Sequence, residues 1–528
     1  MSTEMNPDRS LTLPERLRAQ ASARGDHPLL VCDDEVLSYA DAAARSAALA
    51  KGLLAYGAGK GTRVGLLYPN GADFVVGCLA AARIGAIAVP LSTFSTAPEL
   101  HGLLRGADIE ILLGAASYRR RDYVESLHEA VAHLDLGASP LRNPNAPALR
   151  RIVFSPEAIL LAGQAISDAI LEAVEGSVGP ADRLVIVHTS GSTSAPKGVI
   201  HQHGSLLRHL DNLNDIRRYD ETEILFSNSP FFWIGGFAYG LIGTLLAGAT
   251  LVCSNATDPA AVLDLLEATK PTMVNGFAGT VAHLAKDPTF PQRDLSSIRR
   301  GNLWPIMTPD VRAADPELRH NMLGMTEAGS VCLVSEDEGD QPEHRRGSFG
   351  RPAPGFEARI VDPETGLPLG AGEVGELCFR GPFLMEGYYS RERHETFDAD
   401  GWYHTGDLFH VDQDGFFYFT GRSGDMIKTA GANVSPREVE AAILELTELV
   451  AHVVGIDDAE RGQLVAAAVR LPPGHARPDG DELRRALRGR LSAYKVPQRI
   501  VFLADQDVPM LSSGKLDSRT LKERLRAG

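Results

Sequence analysis

Thr189-Ser190-Gly191-Ser192-Thr193-Ser194-Ala195-Pro196-Lys197-Gly198 follows an apolar run, Leu184 to Val187, and leads into a more periodic segment from Val199. The apolar run reads as a buried strand. The small residues after it leave many backbone N–H groups free to turn inward, with several hydroxyls beside them and one lysine at the far end. Those are the parts needed to surround a polyphosphate. Most Ser/Gly-rich runs are plain surface linkers, but linkers seldom end in Pro-Lys-Gly straight after an apolar strand, so phosphate binding is the stronger reading. The Walker loop is excluded, because it needs Gly-Lys followed by Ser or Thr and here Lys197 precedes Gly198. The stretch therefore predicts an ATP site of another kind.

Outward from that loop, the chain alternates strands and helices. Leu37 to Gly57 opens on a turn and continues as an Ala/Leu-rich helix. Arg63–Leu67 reads as a strand, Asp73–Arg83 as a helix and Ala86–Pro90 as a second strand, the pattern of a wound α/β layer with a parallel sheet. A second such unit is expected from Leu184 through Val252, closing on a strand at Ala249–Cys253. Leu113 to Pro180 is Ala-rich and gives no clear pattern. From Glu357 short strands alternate with Asp362-Pro363, Gly366, Gly370-Ala371-Gly372 and Gly375, as in the hairpins of a small β region.

After Gly421-Arg422-Ser423-Gly424-Asp425 the texture changes to a compact α+β module. Ser435-Pro436-Arg437-Glu438 is a helix start, with Ser as cap, Pro in the first turn and Glu three residues on. That helix is expected to run to about Leu449. Ala451–Ile456 and Leu464–Leu471 read as paired strands, and Glu482–Leu491 and Thr520–Leu525 as helices. The expected fold is α/β: a large N-terminal domain over residues 1–423, made of wound α/β layers plus the small β region, then a small mobile α+β domain over 424–528.

The 528 residues are too many for one hydrophobic core. A formal charge of −16 disfavours nucleic acid or an anionic membrane as general partner. Cys32, Cys78, Cys253, Cys332 and Cys378 are odd in number and widely spaced, which suggests neither a disulfide frame nor a zinc site but buried thiols in a reducing cytoplasm. The first ten residues are polar and carry no secretory signal. Phe74 to Leu91 is apolar but broken by Arg83, Gly85 and Pro90, so a buried helix and strand are expected there rather than a membrane span.

Four further stretches accompany the phosphate loop: Leu323-Gly324-Met325-Thr326-Glu327, Tyr403-His404-Thr405-Gly406-Asp407, Gly421-Arg422, and Ser512-Ser513-Gly514-Lys515. Each alone is weak, since a Thr-Glu is often a solvated turn and a lysine near a C-terminus is usually a surface lysine. In this order and at these separations, from Leu37-Ser38-Tyr39 to Lys515, they resemble the adenylate-forming superfamily of acyl-CoA synthetases, luciferases and peptide-synthetase adenylation domains. An acyl-CoA ligase is the member most resembled.

The resemblance implies the chemistry. Such enzymes join a carboxylate to AMP, expel pyrophosphate and pass the acyl group to a thiol. A carboxylate attacking a polyanion needs charge neutralisation and alignment above all. By the resemblance, Thr189, Ser190, Gly191, Ser192, Thr193 and Lys197 would hold the β- and γ-phosphates. Glu327 would hold Mg²⁺, Thr326 would contact the α-phosphate, Gly324 and Met325 would belong to the ATP/AMP site, and Gly301 and Asn302 would stand at its adenine platform. Asp407 would accept from the ribose hydroxyls with Arg422 nearby. Lys515, carried on the small domain, would bridge the attacking carboxylate and the α-phosphate, useful only as charge develops there. Family members then pivot the small domain, here about Gly424, bringing the Lys428 to Gly431 loop to the pantetheine channel.

Several positions depart from the family pattern: Ser194 replaces a usual Gly, Trp233 a usual His, and Leu323 a usual Tyr or Asn. Gly301-Asn302 stands where Gly-Gly-Ala-Pro is common, and Gly424 where the hinge is commonly Asp or Lys. For the acid, Phe231, Phe232, Trp233, Phe237, Phe277 and Met322 are apolar, and Gly235, Gly236, Ala278 and Gly279 are expected to leave space. No Asp or Glu lies among them to meet an amino group, so a fatty or other bulky apolar acid is expected. For any one of these residues, plain core packing is an equal reading. His188 and His203 flank the phosphate loop and are given no catalytic role; that of His404 is open.

The main expectation is thus an ATP-dependent acyl-CoA ligase in the cytoplasm, using ATP, Mg²⁺ and CoA with a small carboxylic acid. It would have no nucleic-acid partner and no stable membrane insertion, with a homodimer left open. A chain that closes soon after Lys515 is expected to carry no fused carrier domain. The alternatives are a stand-alone acyl-AMP ligase loading a carrier protein and a nucleotide-binding sensor without turnover, the latter motivated by Trp233 and Leu323.

Overall fold

A computed structural model of the chain describes residues 11–189, 196–276, 278–422, 427–429, 432–434, 436–458, 461–491, 495–511 and 516–527. Packing divides it into two units. One holds the described residues up to Glu357 together with Arg380–Ala399; the other holds Ala358–Phe379 and the described residues from Asp400 onward. The boundary expected at 423/424 falls within 423–426, outside the described residues.

The larger unit contains a seven-stranded sheet ordered Gly387–Tyr388, Lys197–Gln202, Arg183–Thr189, Ile87–Pro90, Arg63–Leu67, Ile111–Gly114, Arg151–Val153. Its centre is parallel, as the strand–helix–strand alternation predicts. The Lys197–Gln202 and Gly387–Tyr388 strands add antiparallel at one edge. The helix Ala72–Arg83 buries every residue except Asp73, because its run of Ala, Val, Phe and Cys offers no polar face. Residues 74–91 therefore form a core helix and strand, and among the described residues no helix is long and apolar enough to cross a membrane. All five cysteines are buried free thiols.

The expected second strand–helix–strand unit from Leu184 to Val252 takes another form. Arg183–Thr189 belongs to the seven-stranded sheet, whereas Thr250–Cys253 lies in a separate six-stranded sheet. Residues from Val199 continue as an antiparallel strand before the helix His203–Ile216 begins. The unpatterned stretch after Leu113 contains the edge strand Arg151–Val153 and the helices Tyr123–Ala130, Glu157–Gly163 and Asp168–Gly176. The last of these is anchored by Glu175, whose buried carboxylate is paired with Arg83 and Arg18.

The second unit holds most of a four-stranded sheet of Glu357–Val361, Gly375–Arg380, Tyr403–Val411 and Phe417–Arg422, whose last three strands pair antiparallel. It also holds a five-stranded sheet in which Ala451–Asp458 and Gly462–Leu471 pair antiparallel along their length. The helix Pro436–Thr447 packs Val439 and Ile443, both 0% exposed, into that module's core. The helices Gly480–Arg488 and Ser518–Ala527 complete it.

Candidate active site

In the larger unit the strand Arg183–Thr189 keeps Leu184, Val185, Ile186 and Val187 at 0% exposure, which fixes where the chain emerges. Thr189 and Lys197 are register partners across the antiparallel pair, so the two ends of the stretch expected to bind phosphate are set opposite each other. Ser190, Gly191, Ser192, Thr193 and Ser194 lie outside the described residues. The Lys197 ammonium sits 4.8 Å from the centre of the Tyr388 ring. The Tyr388 hydroxyl donates to Glu327 Oε1 at 2.9 Å. Sequence reading missed Tyr388; its only signal is the edge strand Gly387–Tyr388, too short to stand out by periodicity.

Thr326 and Glu327 open a short 3₁₀ turn that ends at Gly329, whose φ of 73° suits glycine. Leu323-Gly324-Met325 precedes it as a strand paired with Ser330–Val334. Two bonds hold the turn: Met385 N–H donates to the Glu327 carbonyl at 2.8 Å, and His201 Nε2 meets the Thr326 carbonyl at 2.6 Å. Burial pushes the His201 imidazole down to about 4, so it is neutral and donates that Nε2–H. His188 and His203 are likewise pushed to about 4 by burial, which leaves them unfit for acid–base work near neutrality. His203 Nδ1 instead accepts from the Leu13 N–H.

A carboxylate oxygen is the donor type that Mg²⁺ takes. Among the described residues no hydrogen-bond donor or cation reaches Glu327 Oε2, so the residue fits that ion.

Gly301 has φ of 131°, and a Cβ there would fall 1.9 Å from the Val274 carbonyl oxygen, so no side chain fits. Asn302 clamps Gly276, accepting its N–H and donating to its carbonyl, each at 3.0 Å. Its amide thus holds two strand ends together.

Among the apolar candidates, Phe232 and Trp233 lie edge-to-face at 5.5 Å. Phe94, not singled out from sequence, completes the cluster at 5.2 Å from Phe232 and 6.3 Å from Trp233, and is 38% exposed. Asn70 fixes this segment by donating to the Ser229 carbonyl and accepting from the Phe231 N–H. The chain then winds as a π-helix over Gly235–Ile242, a form common at functional sites. Phe237 points away into the core against Phe74. Gly236 leaves no spare room, contrary to the expectation of space: a Cβ there would lie 2.1 Å from the Pro230 carbonyl oxygen. Phe277 and the side-chain surroundings of Gly279 lie outside the described residues.

In the second unit, Asp407 and Arg422 are register partners, and Arg422 Nε donates to Asp407 Oδ1 at 2.7 Å. The Asp407 side chain is 8% exposed and that of Arg422 61%. Glu376, on the neighbouring strand, organises the irregular first part of the Asp407 strand: Oε1 accepts the Gly406 N–H at 2.8 Å, and Oε2 meets His404 Nδ1 at 2.8 Å. The Thr405 hydroxyl donates to the Leu377 carbonyl and accepts the Asp407 N–H. Glu376, Cys378 and His404 have donor atoms within 4.8 Å of one another, but the bonds of Glu376 to His404 and Gly406 already serve to fix the strand that carries Asp407. Lys428 lies on a strand paired with Ala432–Val434; Gly424, Gly431 and Lys515 lie outside the described residues.

Residues 17–389 match the model of the AMP-binding enzyme family, and residues 438–515 match that of the AMP-binding enzyme C-terminal domain. The chain is 32% identical to a feruloyl-CoA synthase of an Amycolatopsis species over 498 residues, covering 92% of this chain and 94% of that enzyme. It is 30% identical to 4-coumarate–CoA ligase 3 of Oryza sativa subsp. japonica over 537 residues, covering 99% and 93%. The structure of ATP-bound MatB from Rhodopseudomonas palustris matches with a TM-score of 0.79 at 25% identity, covering 96% of this chain and 98% of that one.

Proposed function

This chain belongs to the AMP-binding enzyme family of adenylate-forming acid–thiol ligases, which use ATP, Mg²⁺ and CoA, and from that premise we propose that its acid is bulky and apolar. Two lines support the choice. The Phe94, Phe232 and Trp233 cluster offers rings and no carboxylate. The relatives named above are named for feruloyl-CoA and for 4-coumarate, whose acyl groups both carry an aromatic ring.

The observation that carries the site reading is the corner in which Lys197, Tyr388 and Glu327 meet. Lys197 and the loop from Thr189 would hold the β- and γ-phosphates, and Thr326 the α-phosphate. Glu327 would hold Mg²⁺, which when bound neutralises phosphate charge and orients the leaving pyrophosphate. Asp407 would accept from the ribose hydroxyls, its carboxylate oriented by the Arg422 bond. Lys515 would stabilise the charge that develops between the acid and the α-phosphate. Its domain, from about residue 424, would act as a lid turning about Gly424 and later presenting Lys428 to Gly431 to the pantetheine arm. A cytoplasmic setting, with five thiols kept reduced, goes with this reading.

Acid-dependent pyrophosphate release over a panel of fatty, aryl and amino acids, followed by trapping with CoA, tests the proposal. Release with apolar acids and capture as the CoA thioester is expected. Release only with amino acids would overturn the choice of acid. Adenylate that forms but is never taken by CoA would turn the acceptor into a carrier protein.

A further inference from the structure

Tyr388 touches both charged groups of the phosphate corner, and its own backbone is sewn to the strand that carries one of them. Val199 and Tyr388 are register partners, and Tyr389 N–H donates to the Gly198 carbonyl at 2.7 Å, immediately after Lys197. Three residues before Tyr388, the Met385 N–H donates to the carbonyl of Glu327 itself. The tyrosine is thus fixed relative to both motifs, although it stands 61 residues from Glu327 in sequence. It is 7% exposed, so its ring has little freedom to leave.

Consider what the two contacts do. The hydroxyl occupies Glu327 Oε1 and orients the carboxylate, leaving Oε2 for a cation. The ring face attracts the Lys197 ammonium without cancelling its charge, because a π face carries a quadrupole and no net charge. Among the described residues no carboxylate lies within ion-pair distance of Lys197; a direct Lys197–Glu327 pair would have neutralised both groups before the substrate arrived. We propose that Tyr388 is a positioning residue for the divalent cation and the terminal phosphates of ATP, one side chain holding the metal carboxylate by its hydroxyl and the phosphate lysine by its face. This rests on the reading that Glu327 carries the metal. Outer partners of metal-binding carboxylates commonly matter about 10- to 100-fold in metal affinity. Were Tyr388 only an edge-strand packing residue, its hydroxyl could be removed with no effect on metal binding.

The test uses Mn²⁺ as probe, its free concentration read by electron paramagnetic resonance, on the full chain saturated with an ATP analogue blocked between the α- and β-phosphates. Metal-free binding of the analogue is measured in parallel by calorimetry. Tyr388→Phe, which keeps the ring, is expected to weaken Mn²⁺ about tenfold while changing metal-free analogue affinity less than about twofold. Tyr388→Leu is expected to weaken metal-free analogue binding as well, by about fivefold. Glu327→Gln should weaken Mn²⁺, and adding Tyr388→Phe to it should cost nothing further. Wild-type Mn²⁺ affinity in Tyr388→Phe, or full additivity in the double variant, would overturn the proposal even where Glu327→Gln behaves as expected. Wild-type Mn²⁺ affinity in Glu327→Gln would instead remove the metal role of Glu327, and the proposal with it. Tyr388→Phe is nearly isosteric, so that arm decides even if the leucine variant is unstable.

Discussion

The two charged clusters solve opposite problems. In the larger unit, Lys197 and Glu327 carry opposite charges yet are kept apart by a tyrosine that touches both. In the second unit, Asp407 and Arg422 are bonded directly at 2.7 Å, with the carboxylate buried and the guanidinium in solvent. The difference follows from the chemistry proposed for each. A polyphosphate with its metal needs a cation and an anion that are both still available, because neutralising them beforehand discards the Coulombic attraction. A ribose diol is neutral and needs only an acceptor held in one orientation. A direct ion pair supplies that orientation, and Glu376 fixes the backbone beneath it.

This contrast is broken most severely at Glu327. Glu327→Gln keeps the size of the side chain and removes the charge, and should lower kcat/KM for adenylation by about 10²–10³-fold. Raising Mg²⁺ should recover part of the loss, read from pyrophosphate release against metal concentration. Asp407→Asn should act on ATP binding instead, raising KM for ATP by about 10- to 100-fold with kcat less affected. Wild-type enzyme should discriminate against deoxyribose analogues of ATP, and the variant should lose that discrimination. Unchanged discrimination would mean that Asp407 does not read the ribose. Glu376→Gln retains an acceptor for the Gly406 N–H and should cost about two- to fivefold in KM for ATP. It should spare Mn²⁺ affinity, which separates the two clusters.

Smallest in effect on turnover is pH. Burial lowers His188, His201 and His203 to about 4 and His209 to about 3. The unfolded chain takes up these protons near pH 6.5, the folded chain only well below it. The stability they contribute is complete above about pH 6.5 and is lost as pH falls toward their folded values. Thermal unfolding midpoints should therefore drop between about pH 6.5 and pH 4, while adenylation above pH 6.5 shows no titration from these groups. An activity step near pH 6.5 that a substitution of His201 abolishes would contradict the neutral assignment.

What was legible in the sequence follows the range over which each signal acts. The strand Arg63–Leu67, the helix Ala72–Arg83 and the paired strands from Ala451 are set by local periodicity, and they stand where the pattern places them. The destination of Thr250–Cys253 was not legible, because periodicity shows that a strand exists but not which sheet it joins. The stretch after Leu113 stayed obscure since part of its order comes from afar, as with Glu175 meeting Arg83.

The same division holds at the site. The register pairs Thr189–Lys197 and Asp407–Arg422 join residues close in the chain, and both motifs announced themselves. Phe94 and Tyr388 meet partners far away in the chain, and no local periodicity marks them. Gly236 illustrates a subtler limit. Composition suggested room, but the Pro230 backbone carbonyl fills the position.

The central claim is that an organic acid is activated on ATP held by these charges, with Lys515 needed in that half of the reaction. Exchange of labelled pyrophosphate into ATP, measured beside transfer of preformed acyl-AMP to CoA, tests it most directly in the wild type and in Lys515→Ala. The account predicts exchange that depends on an apolar acid in the wild type, and its collapse in Lys515→Ala with thioester formation from acyl-AMP largely kept. Exchange that ignores the acid, or equal loss of both half-reactions in the variant, would contradict it.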